Sequence, residues 1–328
     1  MSALPEAVRA LAEADFAAVA QRFEGAGFTV AQPASGVLSV KSAALDAARP
    51  SVLISVGVHG DETGPIEMVA YVLEALSRTP AELVVDLMLC VGNIDAIRLG
   101  KRFVDADLNR MFRKERGSLA GTFEAARADV LIDVTRAFFD GTGPERWHFD
   151  LHTAIRPSHY PMFAIVPELI ADDARAELTA WLGEAGIGAI IMNPASAGTY
   201  SYFTSEHLGA AGSTVELGRV GTLGQNDLSQ FADASTALDR LLRGQPAVEA
   251  KVAPHVFSTA QSIMKLSDAF SMTVGRETWN FTPLKQGEVI ASDGDTVYTV
   301  KHPEELVVFP NPDVRVGLRA GIMVVRVQ

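Results

Sequence analysis

A series of short apolar runs, set apart by helical patterns, constrains this chain most. "SVLISVGV" (51–58), "LVVDLMLCVG" (83–92), "RWHFDLHT" (146–153), "PMFAIV" (161–166), "AIIMN" (189–193) and "STVELG" (213–218) read as buried strands. Helical spacing occupies 64–78 and the regions near 122–140, 168–184 and 226–244, while 93–121 reads as a long irregular stretch. Uniformly apolar strands alternating with helices predict an α/β fold, a mostly parallel central sheet with helices on both faces. Such sheets bind ligands at the carboxyl ends of their strands. At the N-terminus, Leu4, Val8, Leu11, Phe16, Val19 and Phe23 have the spacing of an amphipathic helix.

The texture changes around 245–255, at the polar, proline-containing "GQPAVEAKVAPH". Short extended segments with turn signals follow, which predicts a small C-terminal all-β domain. The expected division is 1–248 for the α/β domain and 249–328 for the β domain.

Charge and composition remove several function classes. Forty acids against 28 bases give a net charge of -12, with no long Lys/Arg run, which disfavours a nucleic-acid partner. With 48% hydrophobic and 21% charged residues the chain has a globular rather than a disordered balance. No run of eighteen uncharged apolar residues occurs, so no membrane span is expected. The N-terminus carries acids and lacks a basic start before an apolar block, so no secretory signal is expected. The single cysteine, Cys90, forms no internal disulfide; a buried structural thiol and a cytoplasmic location are the expectations.

Chemistry-bearing residues gather at strand ends. In "VGVHGDETGPIEMV", His59 and Glu62 follow a strand, and Gly57 and Gly60 permit the turn that would aim both at one ion. On spacing alone an incidental polar loop is the better explanation, and a metal site needs further ligands. "FDLHTAIR" adds His152 at another strand end, with Asp150 on the same strand face. This is either a satisfied polar pair or a third metal ligand completing a His₂Glu set with an open position for water. Glu216 in "STVELG" is costly to bury without a role or a partner, although a solvent-facing side chain also fits the pattern. From Arg98 to Arg116, seven bases (Arg98, Lys101, Arg102, Arg110, Arg113, Lys114, Arg116) face three acids (Asp105, Asp107, Glu115), a local excess of +4. A solvated charged face accounts for that; so does a carboxylate pocket built on arginine forks.

The ordered set "GVHGDET", "KRFVDADLNRMF", "FDLHTAIR" and "TVELG" resembles the succinylglutamate desuccinylase/aspartoacylase family, related to the zinc carboxypeptidases. "GNIDAIRLGKR" and "LGRVGTLGQNDL" resemble its bacterial desuccinylase branch, and the C-terminal β segment is compatible with the small domain of that family. The resemblance implies one zinc ion per subunit on His59, Glu62 and His152, with Glu216 as general base. It further implies that Asn109 and Arg110 grip a substrate carboxylate and that Arg102 polarises the scissile carbonyl. Asp107 would orient a zinc histidine, and Asp150 is a further partner beside His152. Arg156 is a candidate second carboxylate clamp, with a plain surface arginine as the even alternative. One departure is Asp61, where many relatives have asparagine.

The implied reaction is hydrolysis of N-succinyl-L-glutamate to succinate and glutamate in arginine catabolism, on a small anionic substrate that suits the basic stretch. Competing expectations are a related deacylase acting on N-acetylaspartate and a non-catalytic binding module on the same fold. His148, His159, His207, His255 and His302 carry structural expectations, and Trp147 and Trp279 read as packing residues. The oligomeric state is open, a homo-oligomer included.

Overall fold

The structure is a computed structural model that describes residues 4–44, 48–250 and 253–327. Its strands are β1 (Thr29–Ala34), β2 (Val37–Lys41), β3 (Ser51–Val56), β4 (Asp86–Val91), β5 (Arg146–Ala154), β6 (Met162–Pro167), β7 (Ala189–Asn193) and β8 (Ala211–Arg219). The C-terminal part adds β9 (His255–Met264), β10 (Ser271–Met272), β11 (Thr282–Lys285), β12 (Val289–Asp293), β13 (Thr296–Thr299), β14 (Glu304–Val308) and β15 (Arg319–Arg326). The helices are α1 (Glu6–Ala12), α2 (Ala17–Gly25), α3 (Gly64–Arg78), α4 (Ile94–Leu99), α5 (Phe123–Phe139), α6 (Asp172–Glu184), α7 (Tyr200–Leu208) and α8 (Ala232–Leu242).

One sheet of 12 strands runs in the order β1-β2-β4-β3-β5-β8-β6-β7-β9-β15-β14-β11. Alternate residues of β3 enter opposite layers. Val52, Ile54 and Val56 pack with α1, α3 and α8, whereas Leu53 joins α5, α7 and the loop that carries Leu108 and Phe112. Helices therefore cover both faces, as the apolar runs imply.

The expectation of a mostly parallel sheet is wrong: the sheet is mixed. The ladders β3–β4, β3–β5, β5–β8, β6–β7 and β7–β9 are parallel. The β1–β2 hairpin, β2–β4, β6–β8 and the joins among β9, β15, β14 and β11 are antiparallel. A strand buried on both faces is apolar throughout whichever way it runs, so direction leaves no trace in such a run.

The N-terminal segment is also not one helix. It breaks at Ala14, whose φ of 58° is left-handed, into α1 and α2. The C-terminal part is all-β among its described residues, and a small second sheet, β10-β12-β13, lies beside it. Through β7 and β9 the main sheet continues from the α/β part into these strands. No described helix is long and apolar enough to cross a membrane.

Candidate metal centre and active site

The site forms where β3, β5 and β8 end side by side. β3 leaves the sheet through Gly57, in a left-handed conformation with φ +62°. At Gly60 a Cβ would stand 2.3 Å from the Ala96 carbonyl carbon and 2.6 Å from the Lys101 carbonyl oxygen, so only glycine lets the chain pass. The turn is closed by Gly60 N–H donating to the Arg102 carbonyl (3.0 Å), and α3 begins at Gly64 with Pro65 in its first turn. His59 and Glu62 are held, buried, on this turn.

On β5, His152 points into the same space, and its register partner on β8 is Glu216. His59 Nδ1 lies 2.8 Å from Glu62 Oε1, and His152 Nδ1 lies 2.7 Å from Glu62 Oε2. The two Nδ1 atoms face each other at 3.2 Å. Each outer ring nitrogen meets a carboxylate: His59 Nε2 with Asp107 Oδ1 at 2.8 Å, and His152 Nε2 with Asp150 Oδ2 at 3.0 Å. With Nε2–H of both rings donating outward, both Nδ1 atoms turn inward toward Glu62 and toward each other, where either a proton shared with Glu62 or a metal ion satisfies them.

The donor atoms of His59, Glu62 and His152 lie within 4.8 Å of one another. Two ligands at about 2.1 Å from one tetrahedral ion stand roughly 3.4 Å apart, close to the observed spacing. Electrostatics agree. Burial alone would lower the pKa of His152, yet Asp150 and Glu62 hold it well above the usual histidine value. His59 behaves likewise: burial and Arg102 pull down, while Glu62 and Asp107 raise it above normal. The pocket stabilises positive charge between two imidazoles, so these residues fit a divalent cation.

Glu216 is buried, and its Oε2 has no hydrogen-bond partner. Burial, then the charge of Glu62, raises its pKa to about 7 against the opposing pull of His152 and Arg102. A carboxyl with that value both takes and returns a proton near neutrality. Arg102 Nη1 donates to Glu62 Oε1 at 2.6 Å. Burial disfavours the Arg102 charge, but Glu62, Asp107 and Asp61 more than offset this, so it stays a cation.

The basic stretch divides: Arg98, Lys101 and Lys114 are exposed, whereas Arg102, Arg110, Arg113 and Arg116 are half-buried. Glu124, in the first turn of α5, accepts from the amides of Val104 (2.6 Å), Asp105 (3.1 Å) and Ala106 (3.0 Å) and so shapes the loop ahead of Asp107. Asn109 is buried: its Oδ1 accepts from Tyr200 N–H (2.8 Å), and its amide group faces Asp150 Oδ2 at 3.4 Å. Arg110 Nη1 donates to the Asn109 carbonyl at 2.6 Å, and its Nη2 stands 3.9 Å from Asp107 Oδ2. Arg156 Nε donates to the Arg276 carbonyl at 2.9 Å. Burial, then Arg276 and Arg102, pull its pKa below the usual arginine value, which places it near Arg102. Asp61 leaves Oδ1 buried without a partner, and its pKa is raised, mainly by burial.

Two supporting residues were not singled out in the sequence. Ser55 donates to Asp150 Oδ1 at 2.5 Å and touches His148 Nε2 at 2.9 Å, while His148 Nδ1 meets Thr204 Oγ1 at 2.8 Å. Ser55 sits inside an apolar run and Glu124 near a helix start, where serine and glutamate are ordinary. Only the three-dimensional neighbours reveal what they do.

Comparison with known proteins bears on this geometry. Residues 48–242 match the Succinylglutamate desuccinylase/Aspartoacylase catalytic domain, and 252–327 match the barrel-sandwich hybrid domain of the same family. The succinylglutamate desuccinylase of Burkholderia orbicola (strain MC0-3) is 45% identical over 293 residues, covering 88% of this chain and 85% of that protein. Among solved structures, the succinylglutamate desuccinylase of Vibrio cholerae superposes with a TM-score of 0.84 at 31% identity, over 92% of this chain and 88% of that one. The Chromobacterium violaceum enzyme of the same name gives 0.78 at 33% identity, over 95% and 98%. The chain belongs to the succinylglutamate desuccinylase/aspartoacylase family.

Proposed function

We propose that this protein is a zinc-dependent hydrolase that cleaves the amide bond of N-succinyl-L-glutamate to succinate and L-glutamate. The observation that carries the reading is a buried carboxylate with an unpartnered oxygen, Glu216, paired in register with His152, whose Nδ1 faces His59 Nδ1 at 3.2 Å. Relatives of that name at 41–45% identity support the substrate.

His59, Glu62 and His152 would hold a zinc ion, which when bound would supply Lewis acidity to a water and a carbonyl. Glu216 takes the proton of the attacking water as the oxygen–carbon bond forms. As the carbon–nitrogen bond breaks, the same carboxyl returns that proton to the departing glutamate amine. Arg102 stabilises the negative charge that develops on the succinyl carbonyl oxygen. Asp107 and Asp150 fix the orientation of the two imidazoles. Asn109 and Arg110 hold one substrate carboxylate, and Arg156 serves a second.

Under this reading residues 1–248 form the zinc-hydrolase α/β domain that carries the chemistry, and 249–328 form the small β domain. The likeness to zinc carboxypeptidases, the place in arginine catabolism and the cytoplasmic location belong to the same proposal. A side-by-side turnover assay on N-succinyl-L-glutamate, N-succinyl-L-arginine and N-acetyl-L-aspartate with zinc supplied tests it. Preference for the first is expected; faster cleavage of N-acetylaspartate removes the substrate assignment, and turnover of none favours a binding module.

A further inference from the structure

Arg319 opens β15 in the C-terminal part, paired with Met264. The segment leading to it is fastened onto the basic loop of the α/β part. Arg315 Nη2 donates to the Asp105 carbonyl at 3.2 Å, and Leu318 packs against the cluster formed by Ala106, Leu108, Met111 and Phe112. This brings the Arg319 guanidinium within electrostatic reach of Arg110. The side chain is half-buried and makes no hydrogen bond or ion pair among the described residues.

The other arginines named above are different. Arg102 has Glu62, Arg276 has Asp313 at 2.6 Å, and Arg110 has the Asn109 carbonyl with Asp107 close by. Desolvation, then the charge of Arg110, draws the Arg319 pKa down to about 10. A partly desolvated cation without an anion, next to a second cation, is unfavourable in the free protein. A carboxylate seated between the two guanidinium forks relieves both penalties at once.

We propose that Arg319 is a specificity-determining residue that binds one carboxylate of the substrate jointly with Arg110. The C-terminal domain thereby reads the charge of the acyl amino acid. The inference rests on the site's being one for an N-acyl amino acid, and it goes beyond that reading by assigning a contact to a residue outside the catalytic motifs.

Two measurements on the zinc-loaded protein test it. The first uses three analogues that each lack one carboxylate: N-succinyl-L-glutamine, N-succinyl-L-isoglutamine and N-butyryl-L-glutamate. Arg319→Gln is expected to lower kcat/KM for N-succinyl-L-glutamate roughly 10- to 100-fold, mainly through KM. It should also lose discrimination against one analogue, the same one for which Arg110→Gln loses it. Arg319→Lys should recover part of the loss, with zinc content unchanged and the thermal midpoint no lower than in the parent. Discrimination kept against all three analogues, or lost against a different one from Arg110→Gln, overturns the proposal. The second is calorimetric binding of succinate and of L-glutamate, which is independent of turnover and so separates this inference from the functional reading. Weaker binding of one of them by Arg319→Gln is expected; equal binding by both proteins, or binding of neither by the parent, overturns the proposal.

Discussion

Glu216→Gln should stabilise the metal-free protein while removing its activity, and the gain should depend on pH. In the folded chain, burial and the charge of Glu62 lift the Glu216 carboxyl from 4.5 to about 7. The unfolded carboxyl loses its proton near the lower value, whereas the folded one keeps it to the higher. Folding therefore retains a proton between these values, and stability falls as pH rises through the window and stays reduced above it. A gap of that size is worth about 3 kcal/mol. Glutamine has the same shape and no charge, so above pH 8 the variant should be more stable than the parent by up to about 3 kcal/mol. Near pH 4.5 the two should agree within about 1 kcal/mol, because glutamine then replaces a neutral acid. Urea unfolding of chelator-treated protein at both pH values measures this. In parallel, turnover with zinc should fall by roughly 10²- to 10⁴-fold. A variant no more stable than the parent at pH 8 would refute the claim that Glu216 is an uncompensated buried acid. Full turnover would refute its role as base.

Three further outcomes follow from the supporting residues. Asp150→Asn removes the charge that faces His152 Nε2 at 3.0 Å, and zinc affinity should fall roughly 10- to 100-fold in a competitive chelator titration; unchanged affinity counts against that role. Gly60→Ala puts a methyl 2.3 Å from the Ala96 carbonyl carbon, so the turn carrying His59 and Glu62 must move. Its zinc stoichiometry should drop below one, and an intact, fully loaded variant would show that the turn has slack. His148 has a pKa lowered to about 4 from 6.5, chiefly by burial, so its contribution is present above 6.5 and lost as pH falls toward 4. His148→Gln should thus be destabilised at pH 7, with its deficit against the parent shrinking by about 3 kcal/mol on acidification to pH 4; a deficit independent of pH contradicts the buried neutral imidazole.

Legibility in the sequence follows what each residue's neighbours are. His59, Glu62, His152 and Glu216 end apolar runs, and a carboxylate or imidazole there stands out against Val, Leu and Ile. The ends of β3, β5 and β8 are adjacent in the sheet, so the candidates converge in space. Strand direction was hidden because β6 is as apolar as a parallel strand while running antiparallel to β8. The hairpin β1–β2 leaves no signal in the sequence, since β1 is mostly exposed and has no strong apolar pattern. In the sequence the basic stretch is indistinguishable from a solvated face, because Arg102 and Arg110 differ from the exposed Arg98, Lys101 and Lys114 only in the burial that the folded chain gives them. Arg319 gave no local signal at all: its significance comes from Arg110, more than two hundred residues earlier in the chain.

Under the proposed function, amide cleavage requires one zinc ion on His59, Glu62 and His152. The most direct measurement titrates zinc into chelator-treated protein while following succinate release from N-succinyl-L-glutamate. Activity should rise from near zero, reach a plateau at one equivalent, and stay absent in His152→Ala at that equivalent. Undiminished succinate release from the metal-free protein, or full activity in His152→Ala, would contradict this requirement.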